Sequence, residues 1–338
     1  MRRQKIVLAT GVYPPQIGGP AKYVKNIRDE LLKKGFNVKV ASYFFEHKLP
    51  PIVRHVWYFF KLLFISFNTK VIFAFDTLST GVPAVLVGKI LRKKVVVRIG
   101  GDFLWETHIE ATGEKTPLPL IYENKNTWIL RDKVIFYLTN FLFKTDNYFV
   151  FNSEWLMNIF LKNYNIDRKK VVILKNVFSP GKESEKAVRK NFLWAGRPIK
   201  IKNINSFSVA FEEAKKQNPE IYLDIFTDLP HHELMKKIEK CFALVLPSYS
   251  DVSPNFIIEG IERGKPFVCT KYTSLVTDFP NCGIFIDPLD KENMKNSVLT
   301  LAEESVYREK SEATRLYTEE RTFEDITNEF LTIAGVTD

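Results

Sequence analysis

Two carboxylates, Asp251 and Glu259, stand eight positions apart in the run Asp-Val-Ser-Pro-Asn-Phe-Ile-Ile-Glu, and Gly-Ile-Glu-Arg-Gly-Lys-Pro-Phe-Val follows directly. The preceding Ala243-Leu-Val-Leu-Pro-Ser248 reads as a short buried strand, Ser250 to Asn255 as a turn, and Phe256 onward as a helix stopped near Gly264 and Pro266. The two acids therefore span a strand-to-helix turn, so that one can face a sugar and the other a ribose. Ser253, Asn255 and Phe256 lie at the same turn, where the free backbone N–H groups of a helix start are available to anionic or hydroxylated ligands.

Three further segments carry residues of this kind. Phe192-Leu-Trp-Ala-Gly196-Arg197-Pro-Ile-Lys-Ile-Lys202-Asn203 is a strand running into a turn with an arginine and two lysines, Lys200 and Lys202. Near the start, Lys5-Ile-Val-Leu-Ala-Thr reads as a buried parallel strand, followed by Gly11-Val-Tyr-Pro-Pro-Gln-Ile-Gly18-Gly19-Pro20, a helix from about Ala21 to Lys34, and the strand Asn37 to Ser42. This is a Rossmann-type βαβ unit, although Gly18-Gly19 is not the Gly-x-Gly-x-x-Gly dinucleotide fingerprint; two adjacent glycines let a ligand approach the backbone closely. The last segment, Val95-Val-Val-Arg98-Ile-Gly100-Gly101-Asp102, puts a carboxylate at the C-terminal end of a strand, where open parallel sheets bind ligands. Asp102 is read either as a contact to an acceptor nucleophile or transferred sugar, or as a cap on its own turn.

These residues resemble glycosyltransferase family 4, the retaining nucleotide-sugar enzymes of GT-B fold. Pro247-Ser248, Asp251, Glu259, Gly264, Lys265, Pro266 and Val268 follow the family's Pro-Ser, paired-acid and Gly-x-Pro-Val pattern. Two departures stand out: the first acid is Asp instead of Glu, and Ser253-Pro254 replaces the usual Phe-Gly. Asp reaches about one methylene less far, and Pro254 has no N–H to offer. The segment around Gly196 is similar to the family's strand-Gly-Arg-x4-Lys loop, and the resemblance assigns Arg197 and Lys202 to the donor diphosphate. Cations fixed there would stabilise a leaving group whose charge grows as the glycosidic bond breaks. Gly18 and Gly19 match the family's Pro-Pro-x-x-Gly-Gly loop beside the donor. Glu259 would then hold the ribose hydroxyls, and Asp251 with the following turn the sugar. The family's histidine after the Val95 strand has no counterpart here; the nearest, His108, lies six residues beyond Asp102.

The resemblance implies an α/β architecture with two Rossmann-like domains facing each other across a cleft: an acceptor domain over 1–178 and a donor domain over 179–338, the last helix returning to the first domain. Its activity would be transfer of a hexose-like sugar from a nucleotide donor to the hydroxyl of a glycan or lipid-linked acceptor, with no metal and no other cofactor. Other readings remain open: a catalytically silent nucleotide- or carbohydrate-binding relative, and a GT-B sugar-nucleotide epimerase. The second half reads as abbreviated. Between the Arg-Lys loop and Pro247-Ser248 the family carries two βα units, whereas this chain offers only Ile221-Tyr-Leu-Asp-Ile-Phe-Thr followed by Asp-Leu-Pro-His231-His232. Adjacent histidines point in different directions, and no third ligand is spaced to join them in a metal site.

Composition fits a two-domain globular chain: 338 residues, 45% apolar, and three cysteines in no metal-like spacing, as expected of a reducing cytoplasm. Met1-Arg-Arg-Gln-Lys leads directly into a strand, with no leader visible. Strands are expected at Ile6 to Thr10, Val38 to Tyr43, Val71 to Phe75, Val95 to Ile99, Tyr148 to Phe151, Val171 to Leu174, Asn191 to Ala195, Ile221 to Thr227, Phe242 to Pro247, Phe267 to Thr270 and Gly283 to Ile286, alternating with helices; Ser179 to Lys186 is a linker by composition. The apolar runs Val56 to Phe67 and Val134 to Phe143 are shorter than the roughly 20 residues of a membrane span and read as internal crossover helices. Charge is uneven. Residues 1–178 hold 28 Lys plus Arg against 13 Asp plus Glu, a net of +15, and the remainder 21 against 26, a net of −5. A basic acceptor domain suits peripheral association with an anionic membrane, on its inner face in a cell; dispersed lysines without a recognition motif argue against nucleic acid.

Overall fold

The computed structural model describes residues 4–16, 18–43, 49–182, 184–185, 187–227 and 229–336, with backbone alone at 51 and 52. The Met1-Arg-Arg start, two residues of the linker (Glu183, Lys186) and Asp228 lie outside the described residues. The chain divides into two compact units: Met1–Leu104, Trp128–Val177 and Arg321–Asp338 form one, and Trp105–Thr127 with Phe178–Glu320 form the other. Both units are discontinuous in sequence, unlike a linear division at residue 178.

The first half runs β1 (Lys5–Thr10), α1 (Gly19–Lys33), β2 (Asn37–Ser42), α2 (Pro51–Ile65), β3 (Val71–Ala74), α3 (Val82–Leu91), β4 (Lys94–Ile99), α4 (Phe103–Thr112), α5 (Leu130–Phe143), β5 (Tyr148–Phe151), α6 (Glu154–Asn163) and β6 (Val171–Ile173). The second runs β7 (Lys190–Ala195), α7 (Ile204–Gln217), β8 (Ile221–Phe226), α8 (His231–Lys240), β9 (Ala243–Leu246), α9 (Asn255–Ile261), β10 (Phe267–Thr270), α10 (Leu275–Asp278), β11 (Gly283–Ile286), α11 (Lys291–Leu301), α12 (Glu304–Thr314) and α13 (Phe323–Ala334). Each expected strand is present, with ends shifted by a residue or so. All pairings are parallel, in the orders β2-β1-β3-β4-β5-β6 and β11-β10-β9-β7-β8. The central strands β3, β9 and β10 are buried at every position, because helices cover both faces of a parallel sheet; the edge strands β2 and β8 are partly exposed. Only one βα unit, β8 with α8, lies between β7 and β9.

In the first unit, Val24, Ile27 and Leu31 of α1 and Ile326, Phe330 and Leu331 of α13 bury the sheet face made by Ile6, Leu8, Phe73 and Val96. Alternation along β4 turns its other residues to the opposite face. There α3 lies so close that a Cβ on Gly88 would come within 2.4 Å of Val95 Cγ2. Helix α2 packs on α3 and β2, anchored by the Tyr58 hydroxyl donating to the Ala41 carbonyl at 2.8 Å, and α5 also packs on α3. The internal reading of α2 and α5 holds for one face only. Tyr58 and Leu62, and Ile135 and Leu142, are buried, whereas Val53, Val56, Trp57, Phe60 and Phe64 on α2 and Leu130, Val134, Tyr137, Leu138 and Phe141 on α5 are exposed.

In the second unit, α7 and α11 bury one sheet face through Phe207, Phe211, Met294 and Val298, and α8 and α9 the other through Ile238, Ile257 and Ile261. Gly260 sets the depth of α9: a Cβ there would fall 2.0 Å from Leu244 Cδ1 of β9.

Candidate functional site

Open parallel sheets bind ligands beyond the carboxyl ends of their strands where the strand order reverses. In the second unit the chain leaves β7 for β8 on one side and returns as β9 on the other, so the reversal lies between β7 and β9. The loops after these two strands are Gly196–Asn203 and Pro247–Pro254, and they carry Arg197, Lys202, Asp251 and Ser253.

The first loop is held rigidly. Gly196 donates its N–H to the Phe226 carbonyl of β8 at 3.1 Å, and residues Lys200–Lys202 make one 3-10 turn. Asn203 ends that turn at φ 51°, a left-handed conformation that asparagine tolerates, and starts α7. Its buried side-chain amide donates to the carbonyls of Pro247 at 3.2 Å and Pro288 at 2.9 Å, binding this loop to the ones after β9 and β11. Tyr249 N–H donates to the Ile201 carbonyl at 2.9 Å and closes the contact between the two loops. Ile201 is buried, and it directs Lys200 and Lys202 to different partners. Lys200 Nζ donates to the Glu110 carbonyl at 3.0 Å, in the Trp105–Thr127 segment of the same unit, and Glu110 Oε1 accepts the Ile201 N–H at 3.2 Å. Lys202 Nζ instead lies 2.6 Å from Asp251 Oδ2, both side chains about one-fifth exposed. Arg197 is exposed, with no ion pair or side-chain hydrogen bond among the described residues.

The second loop is fixed along its backbone, which leaves its side chains placed. Asp251 N–H donates to the Tyr272 carbonyl at 3.1 Å, Val252 C=O accepts from Ser274 N–H at 2.9 Å, and the Ser250 hydroxyl accepts from Leu118 N–H at 2.8 Å. Ser248 is wholly buried, and its Oγ has no hydrogen-bond partner among the described residues. Helix α9 starts at Asn255, one residue before the expected Phe256; the Pro254 carbonyl accepts from Ile257 and Ile258. Asn255 is exposed, and Ser253 and Phe256 are half-buried. Glu259, one turn on, lies with Oε1 2.7 Å from Nε2 of His231, the first residue of α8. Lys202 and Asp251 are thus brought together, while Glu259 is paired with a histidine that sequence spacing did not single out. The signal for both pairs was topological, since each joins residues on different βα connections.

Lys265 is buried at 2% exposure and donates to the Glu185 carbonyl at 2.9 Å; burial pushes its ammonium below the ordinary lysine value. It therefore clasps the linker. A cavity of about 680 Å³ nearby is lined by linker residues Pro180–Lys182, by Glu262–Gly264 and by Thr314–Arg315. Glu262 there is bonded to Lys182 and to the Ser179 N–H, and Arg263 forms an ion pair with Glu239.

The first unit has its own reversal between β1 and β3. Gly18 there has φ 149°, a conformation reserved for glycine; its carbonyl accepts from Lys22 N–H, and with Gly19 it forms the exposed start of α1. The turn after β3 is organised by Asp76, which accepts from Ser79 Oγ, Thr80 Oγ1 and Thr80 N–H. Asp102 stands directly before α4 and is only 2% exposed. Among the described residues no group of three His, Cys, Asp or Glu is placed to hold a metal ion, and no helix is long and apolar enough to cross a membrane.

No family model matches the chain, and no curated protein sequence does. Solved structures match over almost its whole length. Sucrose-phosphate synthase (tll1590) from Thermosynechococcus elongatus is 13% identical with a TM-score of 0.73, each chain covered to 98%. WaaG, a glycosyltransferase involved in lipopolysaccharide biosynthesis, is 12% identical with a TM-score of 0.70, covering 97% of this chain and 99% of its own. A glycosyltransferase from Rickettsia africae ESF-5 is 12% identical with a TM-score of 0.67, covering 99% and 98%. At this level of identity the likeness speaks for architecture, and the architecture is the GT-B fold, two parallel α/β sheets with interleaved helices.

Proposed function

We propose that the chain is a retaining glycosyltransferase of the family 4 type, moving a hexose-like sugar from a nucleotide donor to the hydroxyl of a glycan or lipid-linked acceptor. The observation that carries this reading is the Lys202–Asp251 pair at the β7/β9 reversal, with Arg197 on the same loop. In this reading the donor diphosphate takes over Lys202, and Arg197 adds a second cation. Asp251, released, accepts a hydroxyl proton from the sugar. Positive charge fixed before reaction stabilises the departing diphosphate without reorganisation at the moment of bond breaking. Glu259 meets the ribose hydroxyls, its carboxylate aimed by His231. Gly18 and Gly19 are assigned to the donor from the first unit, and Asp102 to positioning of the turn beside the acceptor. No step requires a metal or another cofactor. The basic first half suits a protein held at the inner, anionic face of a membrane.

Two observations favour a second reading, a silent nucleotide- or carbohydrate-binding relative: Lys202 and Asp251 neutralise each other, and a single βα unit stands between β7 and β9. Thermal stabilisation by a panel of nucleotide sugars identifies the donor, since a ligand at one hundred times its dissociation constant adds about 2.7 kcal/mol. Incubation of the stabilising donor with candidate acceptors then separates the readings. Transfer supports the enzyme, an epimerised donor points to an epimerase, and binding without turnover, with activity appearing only in Asp251→Glu, overturns the assignment.

A further inference from the structure

Helix α2 inverts the usual rule for a surface helix. Val53, Val56, Trp57, Phe60 and Phe64 recur at helical spacing and form an outward stripe with no charged residue on it. Phe64 is 70% exposed. Helix α5 repeats the pattern with Leu130 at 79% and Tyr137 at 71%, and α3, which touches both, adds Leu86 and Ile90. Single exposed apolar residues need no explanation, but three adjoining helices of one unit with large apolar side chains outward form a contiguous patch, which marks an interaction surface.

Charge identifies the occupant. Eight cations accompany the patch: two on α2, one on α3 and two just after it, two on α5 and one just after it. The only carboxylate on these segments, Asp132, is wholly buried. A second copy of the chain, meeting this face about a two-fold axis, would set eight cations against eight. An anionic bilayer has the opposite charge and an apolar layer directly beneath it.

We propose that the outward faces of α2, α3 and α5 form a membrane-docking surface, in which the apolar side chains enter the headgroup boundary of an anionic phospholipid leaflet while the flanking lysines and arginines meet lipid phosphates. The surface deepens the membrane reading given above and does not depend on the transfer reaction. Docking of this kind has two components. The cationic one is screened by salt, whereas the apolar one is not.

Co-sedimentation with vesicles tests it, using phosphatidylcholine alone and an equal mixture with phosphatidylglycerol. The intact chain should bind the mixed vesicles strongly and the neutral ones weakly, with residual binding to mixed vesicles at high salt. The triple variant Phe64→Ser, Leu130→Ser, Tyr137→Ser should lose about tenfold or more in partitioning while its melting temperature and circular dichroism stay native, because all three side chains already face solvent. If the intact chain ignores the mixed vesicles at low salt, membrane association and this surface both fail. If the triple variant binds as well as the parent, association stands and the surface is misplaced. A concentration-dependent dimer in sedimentation velocity that the triple variant abolishes would give the face to a second copy instead. Should the triple variant unfold, Phe64→Ser alone carries the same comparison.

Discussion

The two units build the same parallel βα architecture and finish their surfaces in opposite ways. Helix α8 of the second unit turns His231, His232, Glu233, Lys236, Lys237 and Lys240 to solvent, a polar face over the buried Ile238. Helix α2 of the first turns out Trp57, Phe60 and Phe64 over the buried Tyr58 and Leu62. A crossover helix must be apolar only where it meets its sheet, so the fold dictates the inner faces and leaves the outer ones to be set by whatever the surface meets. Counted over the units themselves, the first holds 27 Lys plus Arg against 13 Asp plus Glu, a net of +14, and the second 22 against 26, a net of −4, so charge follows the same division.

The most drastic way to probe that contrast is to cut into an inner face. Tyr58→Ala removes a wholly buried ring and its hydrogen bond to Ala41, and should cost about 3–5 kcal/mol in denaturant unfolding. A loss below 1 kcal/mol would mean that α2 is not held by this face. Next in size is the second unit's crevice. Lys202→Ala should lower transfer by about one to three orders of magnitude, as for loss of one transition-state electrostatic contact, and Arg197→Ala should follow it, both with native circular dichroism. Wild-type turnover at limiting donor in both variants would remove them from the site. Asp251→Asn should cost about 1.5–3 kcal/mol in transfer, the scale of a hydrogen bond to a charged group, yet bind bare nucleoside diphosphate at least as tightly, since Lys202 loses its internal counter-ion. Glu259→Gln should weaken both sugar nucleotide and bare nucleotide; calorimetric titration of the two variants separates the roles. The smallest effect sharpens the surface comparison most directly. Trp57→Gln and Lys236→Gln should each stay within about 0.5 kcal/mol of the parent in stability, and only the first should weaken vesicle binding.

The strands were legible because the buried ones are short continuous apolar runs punctuated by turn residues, and two helix starts to within a residue or two, Ala21 expected against Gly19 and Phe256 against Asn255, because loop chemistry marks the turns before them. Which side of α2 faced outward was not, since large apolar side chains stand on both its buried and its outward face. Charge asymmetry alone pointed to the first half. In the candidate site, spacing singled out Arg197, Lys202, Asp251 and Glu259 individually. It could not couple Lys202 to Asp251 across 49 residues, or Glu259 to His231 across 28, because those contacts exist only once β7, β8 and β9 take their order in the sheet. Lys200 and Lys202 were equally plausible by type, and Glu110, a residue no motif marked, occupies the first. Asn203, the last residue of the Arg-Lys segment, gave no sign in the sequence of being the amide that joins three loops.

The discontinuity of the two units has a consequence for anyone who would take the molecule apart. The chain passes from one unit to the other four times, near residues 104, 127, 177 and 320. A fragment ending at the linker would carry β1 to β6 without α13, leaving Phe73 stripped of the tilted Phe330 ring whose centroid lies 5.2 Å from its own. The complementary fragment would lack Glu110 and Leu118, and with them the contacts that brace Lys200, Ile201 and Ser250. Half-molecule expression, interdomain fusions and split reporters cut at residue 178 would therefore yield two damaged pieces.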